Sequence, residues 1–268
     1  MDNFGQKTLL CRVVFPALRY IYAQAFVKLY GADTEKWTYI GRKEFGDYVY
    51  EPEGIDLSGA EMILTSDKLF GAERHDKTLP AGIFFSYQGD YFLVFRGTIA
   101  LQEWVMDFNF IPVKFKKGSE EVHRGFYRVY QSVKPAVAGL KEKLSDHKGR
   151  LYICGHSLGG TAAVFSALEL AEFHPNLITF ACPKTGNKAF ASRVDEQIKS
   201  YRRYELKGDP LPELPPGKIP LTDFEFAHAG KPVKLQLPDE KKRVKAVKDR
   251  LLVHLPSTYI KAVQCGED

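Results

Sequence analysis

Apolar residues recur along this chain with two different spacings, and the spacings predict helices that alternate with strands. Returns every three or four positions, as between residues 8 and 30, are typical of a helix with one buried face. On this basis we predict helices at 8–30, 125–144, 158–173 and 187–198. Short apolar runs predict strands at 151–154, 177–181 and 200–206, and residues 81–98 are interpreted as two strands joined at Gly89-Asp90.

The order of these elements predicts the fold class. Strands that alternate with helices after residue 120 imply crossover connections and therefore a parallel sheet in that region. The earlier hairpin adds antiparallel strands, so we expect an α/β protein with a mixed, mostly parallel central sheet flanked by helices. The proline-rich text at 208–220 predicts a loop, and no linker divides the chain. We therefore predict a single domain over residues 1–268.

Composition and charge limit the partners of this protein. The 268 residues are 44% hydrophobic and 26% charged, which is typical of a globular chain, and the net charge is +5. Residues 231–250 hold eight Lys or Arg against three acids, which indicates either a solvated face or attraction to an anionic lipid surface. The cluster matches no nucleic-acid motif, so we expect no nucleic-acid partner.

Four cysteines are too few for a disulfide scaffold, and none shows the C-x-x-C spacing of a zinc site. Cys154 and Cys182 lie in apolar runs and are expected to be buried. Cys11 and Cys265 lie near the two ends of the chain, and whether they pair in an oxidising compartment stays open.

The N-terminal apolar stretch, residues 8–30, lacks the features of a targeting or membrane segment. Arg12, Arg19 and Lys28 interrupt it, which argues against both a signal peptide and a transmembrane segment. We therefore expect a cytoplasmic protein, with a secreted mature chain as the alternative.

The stretch "ICGHSLGGTAAV" at residues 153–164 carries the strongest chemical signal. Gly155-His156-Ser157-Leu158-Gly159 fits G-x-S-x-G, and it stands between a predicted strand and a predicted helix. A nucleophile on such a turn has strained backbone angles, and glycine two residues to either side removes collisions with the strand and helix. The alternatives are a glycine-rich bend in a packed core or a phosphate-binding loop, but no lysine follows as the latter requires. The pattern favours a serine nucleophile.

A serine nucleophile needs a base, and the base needs an acid to orient it. Asp209 follows the strand predicted to end at Leu206, which is where hydrolases of this type place the acid. Two histidines come later, His228 and His254. Spacing alone does not choose between them.

Five pieces of the sequence, including the serine motif and the Asp209 segment, occur in an order that resembles the class 3 lipase family. That family includes filamentous-fungal triacylglycerol lipases and feruloyl esterases. The resemblance covers about residues 81–259 and rests on "FRGT" (95–98), "VHRGF" (122–126), "GHSLGG" (155–160), "TFACPKTGN" (179–187) and "GDPLPELPP" (208–216). It implies an α/β-hydrolase fold. It also assigns the catalytic histidine to the later segment, "HLPSTY", hence to His254. His228 and His123 are then expected to be structural.

The resemblance also implies an oxyanion hole and a lid. The oxyanion donors correspond to Thr98, after Arg-Gly, and to Leu158, after the nucleophile. The lid corresponds to "IALQEWVMDF", where four apolar residues share one helical stripe: Leu101, Trp104, Val105 and Phe108. Each is worth about 2 kcal/mol when buried, so such a helix should close in water and open where lipid can receive it. The alternative is an amphipathic helix packed permanently on the core.

These residues predict a serine carboxylic-ester hydrolase, with a lipase acting on acylglycerols as the first choice. A phospholipase A1 or a feruloyl or short-chain esterase on the same scaffold is the alternative, and a catalytically silent lipase-like binding protein is the third. The expected partners are a lipid or other ester substrate and a transient lipid interface. A mechanism that uses only Ser157, His254 and Asp209 implies no metal and no organic cofactor.

Overall fold

The central sheet contains the parallel strands that the predicted helix crossovers imply. A computed structural model of the chain describes residues 3–49, 54–66, 78–99, 110–116, 118–219, 223–237 and 252–265. Within these residues seven strands form one sheet in the order β1-β2-β3-β6-β7-β9-β11. They are β1 (Glu61–Thr65), β2 (Leu79–Tyr87), β3 (Asp90–Phe95), β6 (Leu151–His156), β7 (Asn176–Phe180), β9 (Ser200–Leu206) and β11 (Lys231–Leu235).

The sheet is mixed, as predicted. β1, β2 and β3 pair antiparallel, and β2 and β3 form the hairpin at Gly89-Asp90. From β3 onward, every neighbouring pair is parallel. Short strands form a second, antiparallel sheet in the order β10-β8-β5-β4, with β4 (Pro112–Lys114), β5 (Glu121–His123), β8 (Gly186–Asn187) and β10 (Phe226–Ala227).

Helices cover both faces of the large sheet. In the described residues they are α1 (Asn3–Leu9), α2 (Phe15–Tyr30), α3 (Tyr39–Phe45), α4 (Arg124–Leu144), α5 (Leu158–Glu169), α6 (Lys188–Gln197) and α7 (Pro256–Cys265). A π-helical turn, Leu10–Val14, joins α1 to α2. Four helical segments were predicted, and the structure has helix in all four. The first begins earlier than expected, because α1 starts at Asn3 rather than at residue 8.

Side-chain alternation along the central strands builds two cores. Phe92 and Val94 of β3 belong to the core under α2, whereas Leu93 and Phe95 belong to the core under α4 and α5. All four are buried. A parallel strand with helices on both faces is expected to be apolar on both faces, which is why β3 and β6 read as continuous apolar runs.

The strand boundaries differ from the prediction at the point that matters most. β6 was expected to end at Cys154, but it continues to His156 and stops directly before Ser157. Gly155 still pairs in register with Phe95 of β3 and Thr179 of β7, so the ladder runs up to the turn. Glycine can continue a strand where its missing side chain admits a close neighbour.

Other expectations concern segments and thiols outside the sheet. Cys154 and Cys182 are buried, as predicted, while Cys11 and Cys265 are free thiols in this structure. No helix in the described parts of the chain is both long and apolar enough to cross a bilayer. The single-domain organisation over 1–268 stays a prediction.

Candidate functional site

Three loops meet at the carboxyl edge of the parallel strands. Ser157 follows β6, Asp209 lies three residues after β9, and Thr98 lies three residues after β3. Because the carboxyl ends of parallel strands share one edge of a sheet, and because open α/β sheets bind ligands there, this edge is the candidate site.

Ser157 stands on a strained turn between β6 and α5. Its backbone angles are φ 56° and ψ −126°, a conformation that side-chain-bearing residues rarely adopt. The flanking glycines explain how the turn closes. A Cβ on Gly155 would lie 2.2 Å from the carbonyl oxygen of Gly159, and a Cβ on Gly159 would lie 2.2 Å from that of Arg96. The steric argument made from the sequence therefore holds in the structure.

Asp209 and His254 form a buried pair. The Nδ1 atom of His254 lies 2.9 Å from Oδ2 of Asp209 and 3.1 Å from Oδ1. Burial by itself raises the pKa of Asp209, but the charge and hydrogen bond of His254, with further donors from Leu211 and Tyr259, lower that pKa below its ordinary value. The carboxylate is thus ionised and accepts a hydrogen bond from the Nδ1–H group of His254. The lone pair of His254 is left on Nε2.

Ser157 Oγ and His254 Nε2 are the two atoms that this arrangement leaves for chemistry. Both are buried, and among the described residues neither has a hydrogen-bond partner. Buried polar atoms are nearly always satisfied in folded proteins, and functional sites are the usual exception. Catalytic hydrogen bonds are often loose without substrate and tighten when it binds.

The two predicted oxyanion donors flank the serine from different elements. Thr98 is buried in the loop that follows β3, and a Cβ on the preceding Gly97 would lie 2.8 Å from Cβ of Ser157. Leu158 is the first residue of α5, so its N–H is among those that have no partner within the helix. The N-terminal end of a helix favours negative charge.

Arg96 holds the "FRGT" corner from inside the protein. Its side chain is fully buried, with Nε donating to the carbonyl of Pro80 and Nη1 donating to that of Gly97. Burial lowers the pKa of Arg96 to about 10, so the guanidinium stays charged at neutral pH.

Tyr259 is a site residue that the sequence analysis did not assign. Its hydroxyl donates to Oδ2 of Asp209 at 2.7 Å and accepts the backbone N–H of Leu206 at 3.1 Å. Burial and the neighbouring Asp209 carboxylate raise its pKa well above the ordinary value, so it remains a donor. The available signal was its place at the end of the quoted "HLPSTY".

The other histidines have structural contacts. His228 bonds through Nε2 to the carbonyl of Pro212 at 2.7 Å, and Asp209 bonds to His254 rather than to it. His123 precedes α4, and its Nδ1 accepts the N–H of Phe126 at 3.3 Å. Both contacts agree with the structural roles expected from the resemblance.

Neither the predicted lid nor the expected absence of a metal is tested by this geometry. The lid residues Leu101, Trp104, Val105 and Phe108 lie outside the described residues. Among the residues that the structure does describe, no group of three or more His, Cys, Asp or Glu side chains is arranged to hold a metal ion.

Comparison with known proteins finds one family that matches the middle of the chain. The family model described as "Lipase (class 3)" matches residues 92–219. This part of the chain is similar to the class 3 lipase family. It contains the "FRGT" corner, Ser157 and Asp209, while His254 follows it.

Individual relatives agree with this assignment. A lipase of Rhizomucor miehei is 33% identical over 149 residues, which are 52% of this chain and 40% of the relative. A protein of Fusarium solani named as a secreted mono- and diacylglycerol lipase is 34% identical over 129 residues, 45% of this chain and 38% of the relative. This chain thus spans about two fifths of the length of these curated relatives.

The fold is shared with solved lipase structures. A fungal lipase in complex with an inhibitor superimposes with a TM-score of 0.59 at 22% identity, over 90% of this chain and 94% of the other. The chain therefore has the α/β-hydrolase fold that the resemblance implied.

Proposed function

We propose that this protein is a serine carboxylic-ester hydrolase, and that its substrates are acylglycerols. One observation carries the proposal. The Asp209–His254 pair leaves Nε2 of His254 as a buried base at the same sheet edge as the strained nucleophile Ser157. The relatives named as lipases support the choice of acylglycerol.

The reaction uses the chain's own residues. Nε2 of His254 takes the proton of Ser157 Oγ as the oxygen attacks the ester carbonyl, and Asp209 stabilises the resulting imidazolium. The N–H groups of Thr98 and Leu158 hold the oxyanion, each worth about 3 kcal/mol of transition-state stabilisation. The carbon–oxygen bond to the alcohol breaks, and the alcohol takes the proton from His254. Water, activated by the same imidazole, then releases the fatty acid from Ser157.

The decisive experiment compares Ser157→Ala with the wild type on an emulsified long-chain triacylglycerol and on a soluble short-chain ester. We expect a loss of at least about 10⁴-fold in kcat on both. Ser166→Ala is the matched control, because Ser166 is also buried on α5 and its removal should leave hydrolysis intact. Equal rates for wild type and Ser157→Ala would refute the proposal.

The same assay separates the alternatives. Labelling by a fluorophosphonate with turnover of the short-chain ester alone would indicate a feruloyl or short-chain esterase. Failure of Ser157 to be labelled would indicate a catalytically silent binding protein.

A phospholipase A1 is tested on anionic and neutral vesicles. Its motivation was the basic stretch 231–250, of which the structure describes 231–237. Lys231 is exposed there, whereas Lys234 is paired with the buried carboxylate of Glu205. Hydrolysis of phospholipid in preference to triacylglycerol would move the proposal to this class.

The acylglycerol proposal also includes transient contact with the lipid interface and a lid role for the segment around Trp104. Both are tested by measuring whether turnover becomes faster above substrate saturation.

The cytoplasmic location stays a prediction. The alternative, a secreted mature chain, gains support from the Fusarium solani relative, whose name calls it secreted. Activity in the culture medium against activity in washed cells decides between them.

A further inference from the structure

A buried chain of hydrogen bonds runs behind the candidate site and uses two residues to which the proposed reaction assigns no role. The backbone N–H of Gly97 donates to the hydroxyl of Tyr22 at 2.8 Å. That hydroxyl lies 3.1 Å from Nδ1 of His156, and Nε2 of His156 lies 2.8 Å from the backbone carbonyl of His254. The chain thus joins α2, the "FRGT" corner, the last residue of β6 and the loop before α7.

The direction of each hydrogen bond is determined by chemistry. The carbonyl of His254 can only accept, so Nε2 of His156 carries the proton. Burial, with a further contribution from the nearby His254, lowers the pKa of His156 to about 3, so the ring is neutral and Nδ1 accepts. Tyr22 must therefore donate to Nδ1, which leaves its lone pair for the N–H of Gly97. In this one arrangement, every donor and acceptor of the hydrogen-bond chain has a partner.

Ring contacts of Tyr22 and His156 hold this chain of hydrogen bonds in place. The ring of Tyr22 stacks on Phe45 with centroids 4.5 Å apart and planes within 5°. The ring of His156 lies 4.8 Å from that of His254. Tyr22, His156 and His254 are all less than 5% exposed. Little water can replace a lost partner there, so each group depends on the others.

We propose that Tyr22 and His156 are positioning residues that hold the oxyanion donor Thr98 and the base His254 in fixed places on either side of Ser157. This inference rests on the proposed esterase function. Asp209 orients the imidazole of His254 through Nδ1, but it does not hold the backbone from which the imidazole extends. His156 supplies that second anchor. Tyr22 extends it to Gly97, the residue before Thr98.

Neither residue exchanges protons with the substrate. Both nitrogens of His156 are occupied, and its low pKa keeps it from competing with His254 for the serine proton. Burial raises the pKa of Tyr22 above its ordinary value, so its hydroxyl remains a donor throughout the cycle. Their contribution is to geometry, and small displacements of catalytic groups lower kcat steeply.

The test uses the full chain and a soluble short-chain ester, which removes any effect of a lipid interface. Tyr22→Phe deletes one hydroxyl and keeps the stack on Phe45. We expect kcat to fall roughly 10- to 100-fold, with KM within about twofold of the wild type. Tyr20→Phe, a hydroxyl deletion on the same helix, is the matched control and should leave both constants unchanged. Rates are expressed per Ser157 labelled by a fluorophosphonate at completion, so a loss of folded protein does not count as a loss of kcat.

A second pair of variants examines His156. His156→Gln keeps a donor for the carbonyl of His254, whereas His156→Leu removes it, so the Gln variant should retain more activity. Because one chain of bonds is involved, Tyr22→Phe combined with His156→Leu should be no slower than His156→Leu alone.

The outcomes separate this inference from the proposed function. If wild-type protein neither hydrolyses the ester nor labels at Ser157, the esterase function fails. If the wild type does both and Tyr22→Phe keeps full kcat, the positioning role is wrong. Effects of Tyr22→Phe and His156→Leu that multiply would also overturn it, because they would show two independent sites.

Discussion

The two halves of the candidate site are built in different ways. The serine half, from β6 through Ser157 into α5, is one continuous stretch whose geometry depends on glycines within four residues of one another. The histidine half is assembled from distant segments. His254 contacts Asp209 across 45 residues and His156 across 98, and Ser257 contacts Glu44 across 213.

The difference shows which contacts fix the geometry of each half. The serine turn is rigid because backbone atoms are in direct contact, so it depends on the absence of side chains. The histidine loop is held by side-chain hydrogen bonds. The buried carboxylate of Glu44 accepts both the N–H and the hydroxyl of Ser257 at the start of α7, where negative charge is favoured. Damage to the serine half should therefore appear first in folding, and damage to the histidine half first in catalysis.

The largest expected effect comes from Asp209→Asn, which alters the histidine half directly. The amide keeps the shape of the carboxylate but turns an N–H toward Nδ1 of His254 or toward the hydroxyl of Tyr259. The imidazole then loses the tautomer that leaves Nε2 free, and kcat on a soluble ester should fall by about 10⁴-fold. Circular dichroism should remain that of the wild type. A decrease in kcat smaller than tenfold would contradict the role given to Asp209.

The next largest effect is expected from Gly155→Ala, which introduces a steric clash into the serine half. The new Cβ meets the backbone of Gly159 at 2.2 Å, where no side chain can move aside. We expect a loss of about 3 kcal/mol in the free energy of unfolding, measured by urea denaturation.

Gly139→Ala is its control. Gly139 lies within α4 with no atom close enough to touch a new Cβ, so alanine should stabilise the protein by about 0.5–1 kcal/mol. If both variants changed stability alike, the steric account of the serine turn would be wrong.

The smallest effect is expected from Tyr259→Phe, which removes one of several hydrogen bonds to Asp209. Each such bond to a charged group contributes about 1.5–3 kcal/mol, and part of it is recovered by the remaining donors. Activity should therefore fall less than for Asp209→Asn.

The pH dependence gives this variant a distinctive signature. Asp209 has a lowered pKa in the folded state, so its ionised form adds stability above the unfolded pKa, and that stability is lost as the pH falls through the folded pKa. Without Tyr259 the folded pKa rises and the added stability shrinks. The difference in unfolding free energy between wild type and Tyr259→Phe should thus be largest near neutral pH and decrease in acid. A difference that grew in acid would contradict the assignment of Tyr259 as donor.

Sequence reasoning reached the elements more easily than the contacts. Periodicity predicted the strand Ser200–Leu206 with its observed bounds, because a buried strand shows its apolar pattern locally. It ended β6 at Cys154 instead of His156, because glycine and histidine carry no strand signal although the ladder continues through them. No functional role was predicted for Tyr22 or Glu44, because the residues around them in α2 and α3 do not indicate contacts with residues more than a hundred positions away.

The sequence by itself determined the order of strands and helices, the strained serine turn and the edge of the sheet at which Asp209 would lie. These depend on local periodicity, on glycine sterics and on the shared carboxyl edge of parallel strands. Spacing left His228 and His254 equivalent, and the family resemblance preferred His254. Only the tertiary structure brought His254 to Asp209, and with it Tyr22, His156, Glu44 and Tyr259. The physical reason is that a loop's residues follow no repeat, so their places are decided by whichever buried donors and acceptors the packed core presents to them.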